Sequence, residues 1–138
     1  MRIVLDTNIV VSAIFFGGNP REIVELLMRQ KIEVCASKEI IEEYKETVEY
    51  LKGKYAKKKL KVPIDNIISK CEIIDIKSKI EASRDSDDDK FINCAVDAKA
   101  LYIVSGDKDL LVLNRWKEIE IITAKEFLIK YSQQENRT

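Results

Sequence analysis

The sequence predicts an α/β fold: a three-layer α/β/α sandwich around a central parallel sheet, in one domain over residues 1–138. Three observations point there. Short apolar runs such as RIVL (2–5), IEVCA (32–36) and LYIVS (101–105) alternate with longer amphipathic stretches. Strands alternating with helices imply crossover connections, and hence a parallel sheet. The runs are apolar at consecutive positions rather than at every second one, so the strands are buried on both faces and helices must cover both.

Taken in order, residues 2–5 form the first strand. A helix follows from Thr7 to Phe16 and stops at Gly17-Gly18, where glycine can adopt the left-handed backbone that ends helices. NPREIVELLMRQ (19–30) opens a second helix. Asn19 is its expected N-cap, Pro20 suits the first helical position, and Glu22 completes a capping-box-like pattern. IEVCA is the second strand. Ser37 caps a third helix, KEIIEEYKETVEYLKG, ending near Gly53. The lysine-rich stretch that follows reads as a loop or an exposed turn. Pro63 starts a short helix to about Lys70, and EIIDI (72–76) is a strand. DSDDDKFINCAVDAKA (85–100) is a helix with an acid-loaded N-terminus. LYIVS and IEIIT (119–123) are the fourth and fifth strands, and AKEFLIKYS (124–132) is the closing helix. No internal repeat and no linker divides the chain.

Apolar residues make up 46% of the 138, enough for a self-sufficient core and too many for a disordered chain. No apolar run approaches the ~20 residues that span a bilayer. Asp6 and Asn8 interrupt the N-terminal run where a secretory signal would be unbroken. The expectation is a soluble cytoplasmic protein without a membrane partner. Cys35, Cys71 and Cys94 are odd in number and form no CxxC pair, so they read as small buried hydrophobes rather than zinc ligands or disulfides.

The chain has no histidine. That excludes Ser-His and Cys-His dyads, HExxH zinc sites and any histidine general base. Chemistry, if present, falls to carboxylates, lysines, hydroxyls or a hard metal ion. Formal net charge is zero, but KGKYAKKKLK (52–61) holds six lysines and DSDDDK (85–90) four aspartates.

In open parallel sheets, sites form outside the carboxyl ends of the strands. Two apolar strands end there on acids, RIVL at Asp6 and LYIVSG at Asp107. If these strands are neighbours, about 4.8 Å apart, the two carboxylates face each other. Like charges that close repel, and one stays protonated unless a divalent cation joins them. An oxygen-only donor set selects Mg²⁺ or Mn²⁺.

Helical wheels supply two further acids. In the third helix Ile40, Ile41, Tyr44, Val48 and Leu51 form the apolar stripe, and Glu43 alone among the glutamates lies at its edge. A solvated glutamate is the simpler reading of that position taken alone. In the acidic run Asp85 is a plausible N-cap, and Asp88 shares the stripe of Phe91, Ile92 and Ala95 while Asp87 and Asp89 lie further off. Acids also gather at helix N-termini for dipole reasons, which explains the cluster but not an acid that faces the core. Asn8 and Ser12 share one helical face. They either line a polar pocket beside Asp6 or serve as local caps.

VLDTNIVVSAI, SKEIIEEY, DSDDDKF and IVSGDKDLL, in this order, resemble the PIN-domain family of ribonucleases, and more narrowly its branch of toxins from type II toxin–antitoxin pairs. The resemblance implies that Asp6, Glu43, Asp88 and Asp107 are the family's acidic stations. The run of three aspartates leaves the third station open by one residue, with Asp88 preferred over Asp87 or Asp89. Asn8 would orient a carboxylate or water, Ser105 matches the hydroxyl before the last acid, and Asp109 is a less certain fifth acid. Asp6, Asp88 and Asp107 would hold one or two Mg²⁺ or Mn²⁺ ions that activate water for in-line hydrolysis of RNA, leaving a 5′-phosphate and a 3′-hydroxyl. Lys54, Lys57, Lys58 and Lys59 are candidates to track the RNA backbone, against the plain reading of a solvated loop. A small antitoxin and a homodimer are the implied protein partners.

Rival readings are weaker. A haloacid-dehalogenase-like phosphatase needs a second aspartate where Asn8 stands, a receiver domain needs a different pattern around EIIDI, and no GxxxxGK[ST] loop occurs. The alternative with most weight is a PIN-like RNA-binding or scaffolding module with little or no nuclease activity.

Overall fold

The computed structural model describes residues 1–55, 60 and 62–137. Six strands form one sheet: β1 (Arg2–Leu5), β2 (Glu33–Ser37), β3 (Glu72–Ile74), β4 (Tyr102–Val104), β5 (Arg115–Trp116) and β6 (Ile119–Ile122), in the order β3-β2-β1-β4-β6-β5. Every pairing is parallel except the β5–β6 hairpin at one edge. Ile3, Val4 and Leu5 point to alternate faces, yet all three are fully buried, so both faces of the central strand are covered as expected. The covering helices are α1 (Thr7–Phe15), α2 (Gly18–Met28), α3 (Lys38–Lys54), α4 (Ile64–Lys70), α5 (Asp89–Ala98), α6 (Lys108–Leu111) and α7 (Ala124–Glu135). α5 packs across β1, β2 and β4 and also touches α3.

From β1 the chain proceeds to β2 and β3 on one side, then crosses so that β4 lies on the other side of β1. The strand order therefore reverses between β1 and β4. At such a switch point the two crossovers lead away from each other and leave a crevice at the strands' carboxyl ends.

Most elements follow the local signals. Ser37 caps α3 by accepting the amide of Ile40 at 3.2 Å, and Pro63 stands before α4. Thr123 and Glu126 form a reciprocal capping box on α7. The start of α2 departs from expectation: its N-cap is Gly17, not Asn19. Gly17 has φ 94°, a conformation costly for other residues, and a Cβ there would lie 3.1 Å from Arg21 Nη1. Arg21 itself turns back to donate to the carbonyl of Ala13 at 2.9 Å, satisfying an end group of α1. The tight corner this makes starts α2 before Asn19. Cys35 and Cys94 are buried, Cys71 is half-buried, and all three are free thiols.

Between β3 and α5 an irregular strap runs over residues 75–85, then a 3₁₀ turn, Ser86–Asp88. A strap without a strand partner must satisfy its backbone elsewhere. It does so on α5. Asp97 accepts the amides of Lys77 (2.7 Å) and Ser78 (3.0 Å), and Asn93 accepts the amide of Ile80 (2.7 Å) and donates to its carbonyl (3.3 Å). Asp89 accepts the amides of Ala82 (3.1 Å) and Ser83 (2.8 Å). The spacing of four places all three on one helix face. Asn93→Ala should leave both backbone groups of Ile80 unpaired at a cost of about 1–3 kcal/mol. Hydrogen exchange should then show faster exchange at the Ile80 amide, with the β1 amides lagging well behind; an unchanged Ile80 rate would show that the strap is held by other contacts.

Candidate active site

The pairing of β1 with β4 sets the site. Leu5 registers with Val104, the amide of Asp6 donates to the Val104 carbonyl at 2.9 Å, and the amide of Ser105 donates to Ile122 at 2.9 Å. Asp6 and Ser105 thus leave neighbouring strands side by side. Asp6 occupies the N-cap position of α1, but its side chain makes no capping bond. Instead Asp6 Oδ2 accepts the Ser105 hydroxyl at 2.7 Å. The Ser105 oxygen in turn accepts the amide of Asp107 at 2.9 Å, and Asp107 Oδ1 accepts the amide of Asp109 at 2.8 Å. One fully buried hydroxyl therefore ties together the acids that end β1 and follow β4.

α3 delivers Glu43 from the edge of its apolar stripe. Glu42 is exposed, whereas Glu43 is half-buried, accepts the Thr7 hydroxyl, and pairs with Lys90 Nζ at 2.7 Å. The acidic run separates into distinct roles. Asp85 caps the 3₁₀ turn through the amide of Asp87, Asp87 is exposed, and Asp89 holds the strap. Asp88 is buried at 7% exposure, and its Oδ2 finds no hydrogen-bond partner among the described residues. Asp89 is as buried, at 8%, but is turned to the strap amides, whereas the Asp88 carboxyl feels the charges of Asp107 and Asp6.

Electrostatics show how crowded the site is. Burial pushes the Asp88 carboxyl up to about 7, and the charges of Asp107, Asp6 and Asp85 add to the shift. Burial also raises Asp6. The Ser105 hydrogen bond opposes that rise, and the charges of Asp107 and Glu43 reinforce it. Among the described residues the acids with one oxygen each within 4.8 Å of the others are Asp85, Asp88 and Asp109, so of the expected ligands Asp6, Asp88 and Asp107 only Asp88 belongs to this cluster. The donors are all hard oxygens, one buried oxygen is unpartnered, and the acids disfavour one another's charge. Such a donor set fits a small divalent cation.

The remaining candidates lie further out. Asn8 is exposed and Ser12 half-buried. Lys54 is exposed, with its ammonium 5.6 Å from the Tyr55 ring centre. Lys57, Lys58 and Lys59 lie outside the described residues. Asp109 is half-buried and pairs with Arg84 Nη2 at 2.8 Å. Three residues that touch the acids had no role in the sequence reading: Thr7, Arg84 and Lys90. The only sequence signal for them was adjacency, since Thr7 follows Asp6 while Arg84 and Lys90 bracket the DSDDD run.

A mostly parallel α/β sheet with acids following β1 and β4 at its switch point defines the class of doubly wound α/β proteins to which the fold belongs. Residues 2–109 match the family model described as PIN domain, and the chain belongs to that family. PIN domains are generally hydrolytic nucleases and typically use divalent metals. The chain is 32% identical over 148 aligned positions to the uncharacterized protein MJ1680 of Methanocaldococcus jannaschii, covering 96% of this chain and 93% of that protein. No solved structure matches it significantly. Among the described residues no helix is long and apolar enough to cross a membrane.

A stability test follows from Asp88. Its folded value near 7 lies above the ~3.9 of an unfolded chain, so the folded state holds the proton more tightly. The stability this adds is fully present below about pH 4 and is lost as pH rises through about 7. Metal-free protein should therefore melt at lower temperature at about pH 8 than at about pH 5, and Asp88→Asn should flatten that dependence. Discounted for solvent screening, relief at pH 8 is on the order of 1 kcal/mol, or about 3 °C. If Asp88 merely complemented a helix dipole, the variant would melt lower than wild type in EDTA, not higher.

Proposed function

We propose that this protein is a metal-dependent endoribonuclease that hydrolyses phosphodiester bonds of single-stranded or looped RNA, using Mg²⁺ or Mn²⁺. The observation that carries the reading is the buried Asp88 carboxyl, with one oxygen unpartnered among the described residues and within electrostatic reach of Asp107 and Asp6, the latter in turn within reach of Glu43. Asp6, Asp88 and Asp107 are the proposed metal ligands. When bound, the ion lowers the pKa of a coordinated water and offsets charge on the phosphate. Ser105 holds Asp6 and the Asp107 backbone in place, and Thr7 holds Glu43, which faces the site as a candidate to orient water. Asn8, exposed on the first turn of α1 two residues after Asp6, is the proposed residue to orient a carboxylate or water. Single strands suit an open crevice because their bases and backbone are accessible together.

The resemblance to toxin branches of the family supports a role as the toxin of a toxin–antitoxin pair, with a small antitoxin and a second copy of the chain as partners. The Lys90–Glu43 pair gives some weight to a second reading, an RNA-binding or scaffolding module with little turnover, because an ammonium already occupies one acid.

Incubating purified protein with labelled RNAs in Mg²⁺, Mn²⁺ or EDTA separates the two. The nuclease reading expects cleavage only with a divalent ion, new 5′-phosphate ends, and a loss of about 100-fold or more in Asp6→Asn, comparable to removing a key electrostatic group elsewhere. Cleavage that persists in EDTA or in Asp6→Asn would refute it. Within the same assay Glu43→Gln should reduce the rate far more than Glu42→Gln, because only Glu43 reaches the crevice. Equal losses would remove Glu43 from the site.

A further inference from the structure

Two cations stand against the acids, and neither is an economical way to hold the fold together. Lys90 is the second residue of α5, where the helix dipole disfavours positive charge, and its side chain is only 12% exposed. An ammonium this far from solvent, paired with a half-buried carboxylate, gains little over an apolar contact of similar volume, so linking α3 to α5 does not require one. The Arg84–Asp109 pair joins side chains that are 63% and 41% exposed, and such pairs contribute about 0–1 kcal/mol. Both cations also line one open groove of about 760 Å³, between the strap and the start of α5, together with Lys79 and Ser78. The acids lining this groove are Glu39, Glu81 and Asp89, and Asp89 is already engaged by two strap amides. None of Asp6, Glu43, Asp88, Asp107 and Asp109 lines the groove itself; Lys90, through Glu43, and Arg84, through Asp109, are what connect it to the acids.

We infer that Arg84 and Lys90 form a phosphate clamp that the acids hold closed until a divalent ion binds. Without metal, the two cations offset the charge of Asp109 and Glu43. Asp109 and Glu43 lie beside the proposed ligands Asp6, Asp88 and Asp107, and with a divalent ion bound there they would turn toward the added positive charge, which would free the guanidinium and the ammonium for phosphates of a strand lying in the groove. Arg84 offers a planar fork for bidentate phosphate contact, and Lys90 a point charge. Strand binding and metal loading are then coupled: each favours the other by the same factor. This inference rests on the nuclease reading, since it takes the strand to be the substrate.

The test is binding of a short single-stranded phosphorothioate RNA, which resists hydrolysis and keeps its charge, followed by fluorescence anisotropy across a salt series in Mn²⁺ and in EDTA. Wild type should bind several-fold tighter in Mn²⁺. Arg84→Gln and Lys90→Gln should each lower affinity in Mn²⁺ and reduce the log–log salt slope by about 0.7, the value for one phosphate contact to a single strand. In EDTA the three proteins should differ little. Lys90→Arg should keep the wild-type slope, which a purely structural pair would not explain. Calorimetric titration with Mn²⁺ alone should show tighter binding to Lys90→Gln than to wild type, because no ammonium competes for Glu43. Unchanged slopes in Mn²⁺, equal losses with and without metal, or weaker Mn²⁺ binding by Lys90→Gln would each overturn the clamp. Should Lys90→Gln fail to fold, Arg84→Gln at its exposed position decides alone. If wild type cleaves RNA with metal while the slopes stay the same, the clamp fails and the nuclease reading stands. If wild type neither binds nor cleaves RNA, both fail.

Discussion

Parallel pairing of β1 with β4 is the constraint on which the rest depends. Neighbouring strands lie about 4.8 Å apart, and the Leu5–Val104 register makes both end at the same level. A slip of one residue would exchange the faces of every side chain and draw Asp6 into the sheet, so burial on both faces fixes the register strongly. With the register fixed, Ser105 has to lie beside Asp6. Its hydroxyl is the smallest group that can donate to one carboxylate while accepting the amide that leads to the next. α5 then packs on the same two strands and brings Asp88, and its contact with α3 brings Glu43.

Crowding acids in this way works against folding, and the structure shows where the opposition is absorbed. Asp6 is held by a neutral hydroxyl and no cation pairs with it among the described residues, while Glu43 has both a hydroxyl and an ammonium. The unpartnered oxygen of Asp88 remains uncompensated. Stability must come from elsewhere, chiefly the continuous core around β1, β4, α1, α2 and α5. The strap adds a different kind of support. Its hydrogen bonds to Asp89, Asn93 and Asp97 satisfy a backbone that has no sheet partner, and they fix the approach of Arg84 and Asp85 to the site.

Much of this was legible in the sequence, for physical reasons that can be stated residue by residue. Asp6 and Asp107 stood out because a carboxylate ending an apolar strand is costly unless it has a task. Asp88 stood out because helical periodicity turns it toward the core, whereas periodicity put Glu43 only at the edge of its stripe and the resemblance was needed to prefer it over a solvated glutamate. What periodicity cannot carry is tertiary adjacency. That β4 returns to lie beside β1 was a condition of the argument, not a product of it. The roles of Asn93 and Asp97 on α5 were not read at all, because their partner, the strap, has no pattern of its own. The β5–β6 hairpin went unseen because its turn uses Lys117 at φ 52°, where a sequence reader looks for glycine or asparagine. Asn19 misled for the opposite reason: it is a good cap by type, but Gly17 supplied a backbone conformation that Asn19 was not needed for.

The different partners of Asp6 and Glu43 also suggest different roles for two acids that composition treats alike. Asp6 has one oxygen on Ser105 and no counter-charge among the described residues, so a cation bound as proposed would meet a carboxylate already aimed and needing only charge. Glu43 has Thr7 on one oxygen and Lys90 on the other, so engaging it requires an ion pair to open. The first arrangement favours permanent ligation, because nothing is displaced. The second favours a conditional contact, because its net gain is the difference between two charged partners. A site that held every acid as Asp6 is held would be still harder to fold without metal. One that paired every acid as Glu43 is paired would bind an ion weakly. The mixture lets a chain without histidine keep an oxygen-only site folded when empty and still leave carboxylates available to a cation.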